Sequence, residues 1–312
     1  MTFAITFPGQ GSQTVGMLSE LFAEHDIIKH TFAEASASLG YDLSELVLMG
    51  PAEALNQTWR TQPALLTASV AIWRLWREQG GAMPDVMAGH SLGEYSALVC
   101  AEVLSLADAV KLVELRGQLM QEAVPEGSGA MSAIIGLDND TIIANCALAE
   151  QGEVVSPVNF NSPGQVVIAG NKAAVERANI LMKESGAKRA LPLPVSVPSH
   201  CALMRSAAEK LEHTLTDMVF NEPVVSVINN VDVAQENTSA AIKDALVRQL
   251  YSPVRWTETV EAMVGLGVTL SLEFGPGKVL SGLAKRIDKR VEGLAVNDNA
   301  SLERALADVA GA

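Results

Sequence analysis

Val86-Met87-Ala88-Gly89-His90-Ser91-Leu92-Gly93-Glu94-Tyr95 is the stretch from which the fold is read. Its first three residues form an apolar run bounded upstream by Gly80, Gly81 and Pro84, which predicts a short buried strand. From Leu92 the apolar residues return at helical spacing, through Tyr95, Leu98 and Val99. Between strand and helix lies Gly89-x-Ser91-x-Gly93, the pattern of a nucleophile elbow. Such a serine takes a strained backbone conformation at the tip of a tight turn, and glycines two residues to either side let neighbouring backbone pass without a Cβ. Its hydroxyl is then presented at a helix N-terminus, where free N–H groups and the helix dipole favour developing negative charge. A plain glycine-rich turn with a capping serine could be written with the same letters. The strand before and the helix after favour a catalytic Ser91.

Composition narrows the function classes. The chain has 312 residues, 48% of them hydrophobic and 19% charged, enough for one large α/β core with a satellite or for two domains. A net charge of −14 argues against a nucleic-acid binder, because no overall positive field attracts phosphates. The opening residues, Met1-Thr2-Phe3-Ala4-Ile5, lack the basic region of a signal peptide, and no apolar run reaches bilayer-spanning length. Cys100, Cys146 and Cys201 are scattered without metal-ligand spacing. The expectation is a reduced, cytoplasmic protein without metal, cofactor, membrane or nucleic acid.

Upstream of the elbow, Phe3 to Phe7 predicts a strand that runs into Pro8-Gly9-Gln10-Gly11-Ser12-Gln13. This loop fails both nucleotide-binding fingerprints, since Thr14 stands where a third glycine is needed and no Gly-Lys-Ser/Thr follows. It is either a tight turn or backbone lining an anion site beside Ser91. Gly16 to Leu39 predicts an amphipathic helix carrying His25 and His30 in solvent. Thr61-Gln62-Pro63 opens another, with proline in its first turn and a core stripe through Leu66, Val70, Trp73 and Trp76. After the elbow, helices to about Glu102 and from about Leu106 to Gln121 form a hairpin. The first leads about 16 Å away and the second returns about 15 Å by Arg116, bringing that residue back to the level of Ser91. Arg116 shares its stripe with Ala109, Leu112, Val113, Leu119 and Met120. A buried guanidinium needs an anionic partner, either an internal glutamate or a carboxylate on the substrate.

From 126 to 197 the pattern changes to β-α-β-β-α-β, with Pro/Gly/Ser segments at both ends. That order predicts a ferredoxin-like subdomain inserted into the larger domain formed by 1–125 and 198–312. Asn159, Asn161 and Ser162 read as turn residues, or alternatively as the lining of a cleft. His200 stands where the chain re-enters the core, a typical cleft position. His90 should point away from Ser91 across the strand and His213 lies in a charged helix, so His200 is the general base by elimination. Cys201 should face elsewhere. Beyond it come a strand from Val224 to Ile228, helices from Ser239 to Leu250 and Trp256 to Gly265, and a strand from Thr269 to Phe274. Gly275-Pro276-Gly277 then turns into a helix ending Lys285-Arg286-Ile287-Asp288-Lys289-Arg290. Stacked at helical spacing, Lys285 with Lys289 and Arg286 with Arg290 would form one cationic face, complementing the helix dipole or receiving a partner.

Phe7-Pro8-Gly9-Gln10-Gly11-Ser12-Gln13, Gly89-His90-Ser91-Leu92-Gly93-Glu94-Tyr95, Arg116-Gly117, Ser196-Val197-Pro198-Ser199-His200 and Glu273-Phe274-Gly275-Pro276-Gly277 together are highly specific. Nearly end to end, the chain resembles the bacterial malonyl-CoA:acyl carrier protein transacylases, of the acyltransferase family of fatty-acid and polyketide synthesis. The resemblance implies an α/β-hydrolase-like core with a parallel sheet and the inserted subdomain. It also implies a ping-pong transfer in which Ser91 takes malonyl from coenzyme A and hands it to the phosphopantetheine thiol of acyl carrier protein. His200 is then the base, and the backbone N–H groups of Gln10 and Leu92 form the oxyanion hole. Arg116 becomes a bidentate clamp for the malonyl carboxylate, and the backbone carbonyl of Gln249 orients the histidine in place of a triad aspartate. The carrier is typically acidic, which makes Lys285, Arg286, Lys289 and Arg290, or else Lys188 and Arg189, candidate landing sites on what is expected to be a monomer. A serine thioesterase or esterase would share the elbow but not the buried arginine. A polyketide-type acyltransferase would share nearly everything, and a non-enzymatic carrier-binding module would need none of Ser91, His200 and Arg116.

Overall fold

A computed structural model describes residues 2–195 and 197–311; Ser196, within the segment leading to His200, lies outside the described residues. Phe3–Phe7 (β1) is buried along its whole length. Its alternate side chains enter two cores, Phe3, Ile5 and Phe7 on one face of the sheet and Ala4 on the other. Val86–Gly89 (β2) pairs parallel with β1. The four strands Gly129–Ile135 (β3), Val155–Ser162 (β4), Gln165–Asn171 (β5) and Arg189–Pro192 (β6) belong to a separate antiparallel sheet. Val227–Ile228 (β7), Leu270–Phe274 (β8) and Glu292–Val296 (β9) complete the first. That sheet is parallel in the order β7-β2-β1-β8-β9, so the chain builds outward from β1 in both directions. Ligand crevices in such sheets form at the carboxyl ends of the strands. Here the loop after β1 and the elbow after β2 meet at that edge.

The second sheet has the order β4-β5-β3-β6, with helices Asn139–Glu150 and Lys172–Glu184 completing the β-α-β-β-α-β unit. Its own core includes Ile134, Ile142, Val166, Ile168 and Met182. It is tied to the parallel sheet's side by an isolated bridge between Asn159 and Val254, and by the Thr257 hydroxyl donating to the Phe160 carbonyl at 3.0 Å.

Several expectations need correction. The helix expected over Gly16–Leu39 is two helices, Ser19–Glu24 and Asp26–Leu39, broken where His25 takes an extended conformation. Two short helices, Leu43–Met49 and Ala52–Leu55, follow that the periodicity did not reveal. The next helix begins at Thr58 rather than Thr61 and runs to Glu78, leaving Pro63 inside it at the cost of one helical hydrogen bond. The strand expected over Val224–Ile228 shrinks to two residues. The basic helix, Val279–Ile287, stops at Asp288, whose extended backbone leads the chain toward β9. Lys289 and Arg290 therefore do not stack on Lys285 and Arg286.

Candidate active site

Ser91 sits at φ 52° and ψ −108°, in the left-handed region that a non-glycine residue enters only when its surroundings impose it. Gly89 and Gly93 make the turn possible. A Cβ on Gly89 would lie 1.8 Å from the Gly93 carbonyl carbon, and one on Gly93 would lie 2.0 Å from the Phe7 carbonyl oxygen. Asn230 straps the elbow from the far side. Its Oδ1 accepts the Ser91 N–H at 2.7 Å and its Nδ2 donates to the Gly89 carbonyl at 2.7 Å.

His200 also has a positive φ, 64°, and its N–H donates to the Leu250 carbonyl. The imidazole is 3% exposed. Its Nδ1 donates to the Gln249 carbonyl at 2.7 Å, which fixes the tautomer and leaves Nε2 as an acceptor 2.7 Å from Ser91 Oγ. Gln249 is the last residue of helix Ser239–Gln249, so the imidazole faces the negative end of a helix dipole. Burial, reinforced by the positive charge of Arg116, pushes the imidazole pKa down to about 3. His200 is therefore neutral and able to accept a proton.

Arg116, in helix Leu106–Glu122, is 1% exposed. The helical hairpin brings it to the level of the serine: Nη2 lies 3.2 Å from Ser91 Oγ. Its other partners are neutral. Nη1 donates to Gln62 Oε1 at 2.8 Å and Nη2 to Gln249 Oε1 at 2.9 Å, while Nε has no partner among the described residues. One N–H of Nη1 thus remains for a ligand, together with the N–H of Nη2 that points at the serine. The internal ion pair considered from the sequence is absent among the described residues. The nearest thing to it is Glu94, 2% exposed, whose Oε2 accepts from Gln249 Nε2 at 2.8 Å and from the Asn230 N–H at 2.9 Å.

Gln10, Leu92, Ser91, Arg116 and His200 line one cleft of about 540 Å³, whose apolar wall includes Met120 and Met131. Among the described residues the backbone N–H groups of Gln10 and Leu92 have no protein partner. The first loop is held close to the elbow, since a Cβ on Gly9 would lie 2.6 Å from the His90 carbonyl oxygen. His90 hydrogen-bonds Asn161 Oδ1 through Nε2 at 2.8 Å and takes no part in the Ser91 contact. Asn159 and Asn161 lie within β4 rather than at a turn, and Asn159 lines the cleft. The Cys201 thiol donates to the Pro198 carbonyl, and burial pushes its pKa up to about 11, so it is a poor nucleophile.

Sequence reasoning missed Gln62, Glu94, Asn230 and the side chain of Gln249. The only local signal was a polar residue on an otherwise apolar helix face, as at Gln62 and Glu94. Among the basic candidates, Arg290 is paired with Asp288 at 2.6 Å. Arg286 Nη1 instead donates to Gln165 Oε1 at 3.1 Å. Gln165 pairs with Ile135, which pairs in turn with Arg189. Arg286 and the exposed Lys188–Arg189 therefore flank the same end of the antiparallel sheet.

Comparison with known proteins gives the family. The acyl transferase domain family matches residues 5–295. The malonyl CoA-acyl carrier protein transacylase of Haemophilus influenzae is 67% identical over 300 residues, covering 96% of each chain. That of Salmonella typhimurium is 64% identical over 304 residues, covering 97% of this chain and 98% of the relative. A crystal structure of an acyl carrier protein S-malonyltransferase from Vibrio cholerae superposes with a TM-score of 0.96 at 67% identity, covering 97% of this chain and 99% of that one. A malonyl-transacylase solved in complex with a type II polyketide acyl-carrier protein gives a TM-score of 0.98 at 62% identity, covering 99% of this chain and all of that one. With a strained serine, its histidine and a buried arginine at the mouth of a parallel sheet, the chain belongs to the acyl transferase family and, within it, to the malonyl-CoA–acyl carrier protein transacylases.

Proposed function

We propose that this enzyme moves malonyl from coenzyme A to the phosphopantetheine thiol of acyl carrier protein, in fatty-acid synthesis, through an ester on Ser91. One observation carries the assignment of roles: Ser91 Oγ is met at once by His200 Nε2 at 2.7 Å and by Arg116 Nη2 at 3.2 Å. In the first half-reaction Ser91 Oγ gives its proton to His200 Nε2 and attacks the thioester carbonyl. The oxyanion is received by the N–H groups of Gln10 and Leu92. Collapse breaks the carbon–sulfur bond, and the imidazolium returns its proton to the departing sulfur of coenzyme A. In the second half the carrier thiol gives its proton to His200 and attacks the ester; the bond from the acyl carbon to Ser91 Oγ breaks, and the imidazolium returns the proton to that oxygen. The imidazolium formed in each half faces the Gln249 carbonyl and helix end rather than a carboxylate, which supports it less strongly.

Arg116 supplies the acyl preference. The N–H directed at Ser91 Oγ is available to the acyl carboxylate once the oxygen is esterified. A guanidinium held by two glutamine oxygens is preorganised for a fork-shaped contact. For the acidic carrier, the end of the antiparallel sheet bearing Lys188, Arg189 and Arg286 is the landing surface that the charges favour. The enzyme works as a cytoplasmic monomer. Incubation with radiolabelled malonyl-CoA tests the reading. Stable labelling that Ser91→Ala abolishes is expected, whereas rapid release of free malonate would indicate a thioesterase. No labelling would indicate a carrier-binding module.

A further inference from the structure

Arg116 is a buried cation that touches only neutral oxygens, and the buried carboxylate of Glu94 is one amide away. The amide between them is Gln249, and its orientation is forced. Its Nε2 donates to Glu94 Oε2 at 2.8 Å and to the Ser91 carbonyl at 3.0 Å; the carbonyl, and the carboxylate while ionised, can only accept from it. Its Oε1 must then face Arg116, which can only donate. Glu94 thus compensates the guanidinium through Gln249 while the clamp is empty. A carboxylate entering the clamp adds a second negative charge to a site holding a single cation, and a buried site that cannot disperse charge responds by changing protonation.

We propose that Glu94 is the counter-charge of the empty Arg116 clamp and takes up a proton from solvent when the acyl carboxylate binds, so that malonyl loading is coupled to protonation. This rests on the assignment of Arg116 as the carboxylate clamp. Glu94 is suited to the exchange, since burial pushes its carboxyl pKa up to about 7, against lowering by hydrogen bonds from Gln249 and Asn230 and by the charge of Arg116. The charged and titratable groups around it are few. Arg116 faces it from helix Leu106–Glu122, and Tyr95 adjoins it on its own helix. Asp232 acts from the segment after β7, itself paired with Arg248 at 2.6 Å. Glu236, itself half-buried, shares with Glu94 the lining of a second cavity of about 10 Å³. Arg116 keeps its proton throughout the working range. His200 starts from a pKa near 3 and remains neutral even if part of that lowering is relieved.

The sign follows. In the free enzyme Glu94 is ionised above about 7. A bound carboxylate raises that value, so a proton is taken up between the free and bound values. The full chain carrying Ser91→Ala binds the thioester without turning it over, and is titrated calorimetrically at about pH 8 in two buffers of different ionisation enthalpy. Malonyl-CoA is expected to take up about one proton more than acetyl-CoA, which cancels the contribution of the coenzyme phosphates. With Glu94→Gln added, whose amide oxygen can still accept from Gln249 and Asn230, that difference falls to zero while malonyl remains preferred. At about pH 5.5 it falls to zero without the second substitution, because Glu94 is already protonated. If both thioesters bind alike and Arg116→Ala changes neither, the clamp assignment fails and this proposal with it. If malonyl is preferred through Arg116 but the proton difference is absent at the higher pH, or survives Glu94→Gln, the role of Glu94 is overturned and the clamp stands. Should Glu94→Gln fail to fold, infrared difference spectra of the unsubstituted enzyme before and after malonylation decide. A carboxyl band that shifts on deuteration, as the new serine ester carbonyl does not, must appear, and its absence overturns the proposal.

Discussion

At the scale of single residues, the site works by holding charged or strained groups where water would relax them. Arg116 is fixed by Gln62 and Gln249. As the proposed carboxylate clamp, it would have its remaining donors satisfied by malonyl and left unpaired by acetyl. Arg116→Ala should therefore lose about 3–5 kcal/mol of malonyl transfer, the scale for removing one partner of a buried charge pair. It should also gain activity toward acetyl-CoA, and Arg116→Lys should recover little because a point charge cannot reproduce the fork. Steady-state transfer with both thioesters checks this, and an alanine variant that kept its malonyl preference would make Arg116 a purely structural residue. The same substitution should move the pH profile. His200 is held far below its ordinary value of 6.5 by burial and then by Arg116, so the base stays deprotonated well below that pH. The acid limb of kcat/KM, which reports the free enzyme, should accordingly lie well below 6.5 in the unsubstituted enzyme and shift upward in Arg116→Ala. A limb near 6.5 in the unsubstituted enzyme would contradict the depressed imidazole.

At the scale of elements, the positions of these residues depend on how closely backbones approach. Helix Leu106–Glu122 packs against helix Thr58–Glu78 at Gly117, where a Cβ would lie 2.4 Å from Trp59 Cα. Gly117→Ala must push the two helices apart, a strain of about 1–3 kcal/mol. The helix that moves carries Arg116 and the helix it leaves carries Gln62, so malonyl transfer should fall by more than acetyl transfer. Equal losses, with the thermal unfolding midpoint lowered, would mean only general destabilisation. Close approaches of this kind also explain what the sequence made legible. The elbow could be read because its glycines, strand and helix are contiguous, and the β-α-β-β-α-β unit because each strand and helix carries its own periodicity and turn chemistry. Arg116 could be placed because a helical hairpin has fixed rise. Gln62, Glu94, Asn230 and the side chain of Gln249 could not, because they come from four separate segments and meet only once the sheet orders them around Ser91. The basic helix misled because periodicity continues past Asp288 whereas the backbone does not.

At the scale of the whole molecule, the enzyme carries a net charge of −14, and an acidic carrier must approach it against that field. The attraction has to be local, and the fold redistributes the basic residues that sequence order had grouped. Arg290 is already neutralised by Asp288, whereas Arg286 reaches across to Gln165, which β3 alone separates from Arg189. The two candidate surfaces thus become one, at the end of the antiparallel sheet away from Met131 and Leu193, which line the cleft. Arg189→Glu and Arg286→Glu should each raise the KM for carrier protein several-fold while leaving the KM for malonyl-CoA nearly unchanged, because only the carrier spans that surface. The two together should act strongly on the same kinetic constant. Arg290→Glu should do least, since the charge it removes was already offset. Such effects arise mainly in the association rate and shrink as ionic strength rises, the screening length falling to about 8 Å at physiological salt. Carrier-dependent kinetics at low and high salt separate the possibilities. Equal effects on both substrates, or an effect indifferent to salt, would remove this surface as the landing site and turn the search to the cleft rim.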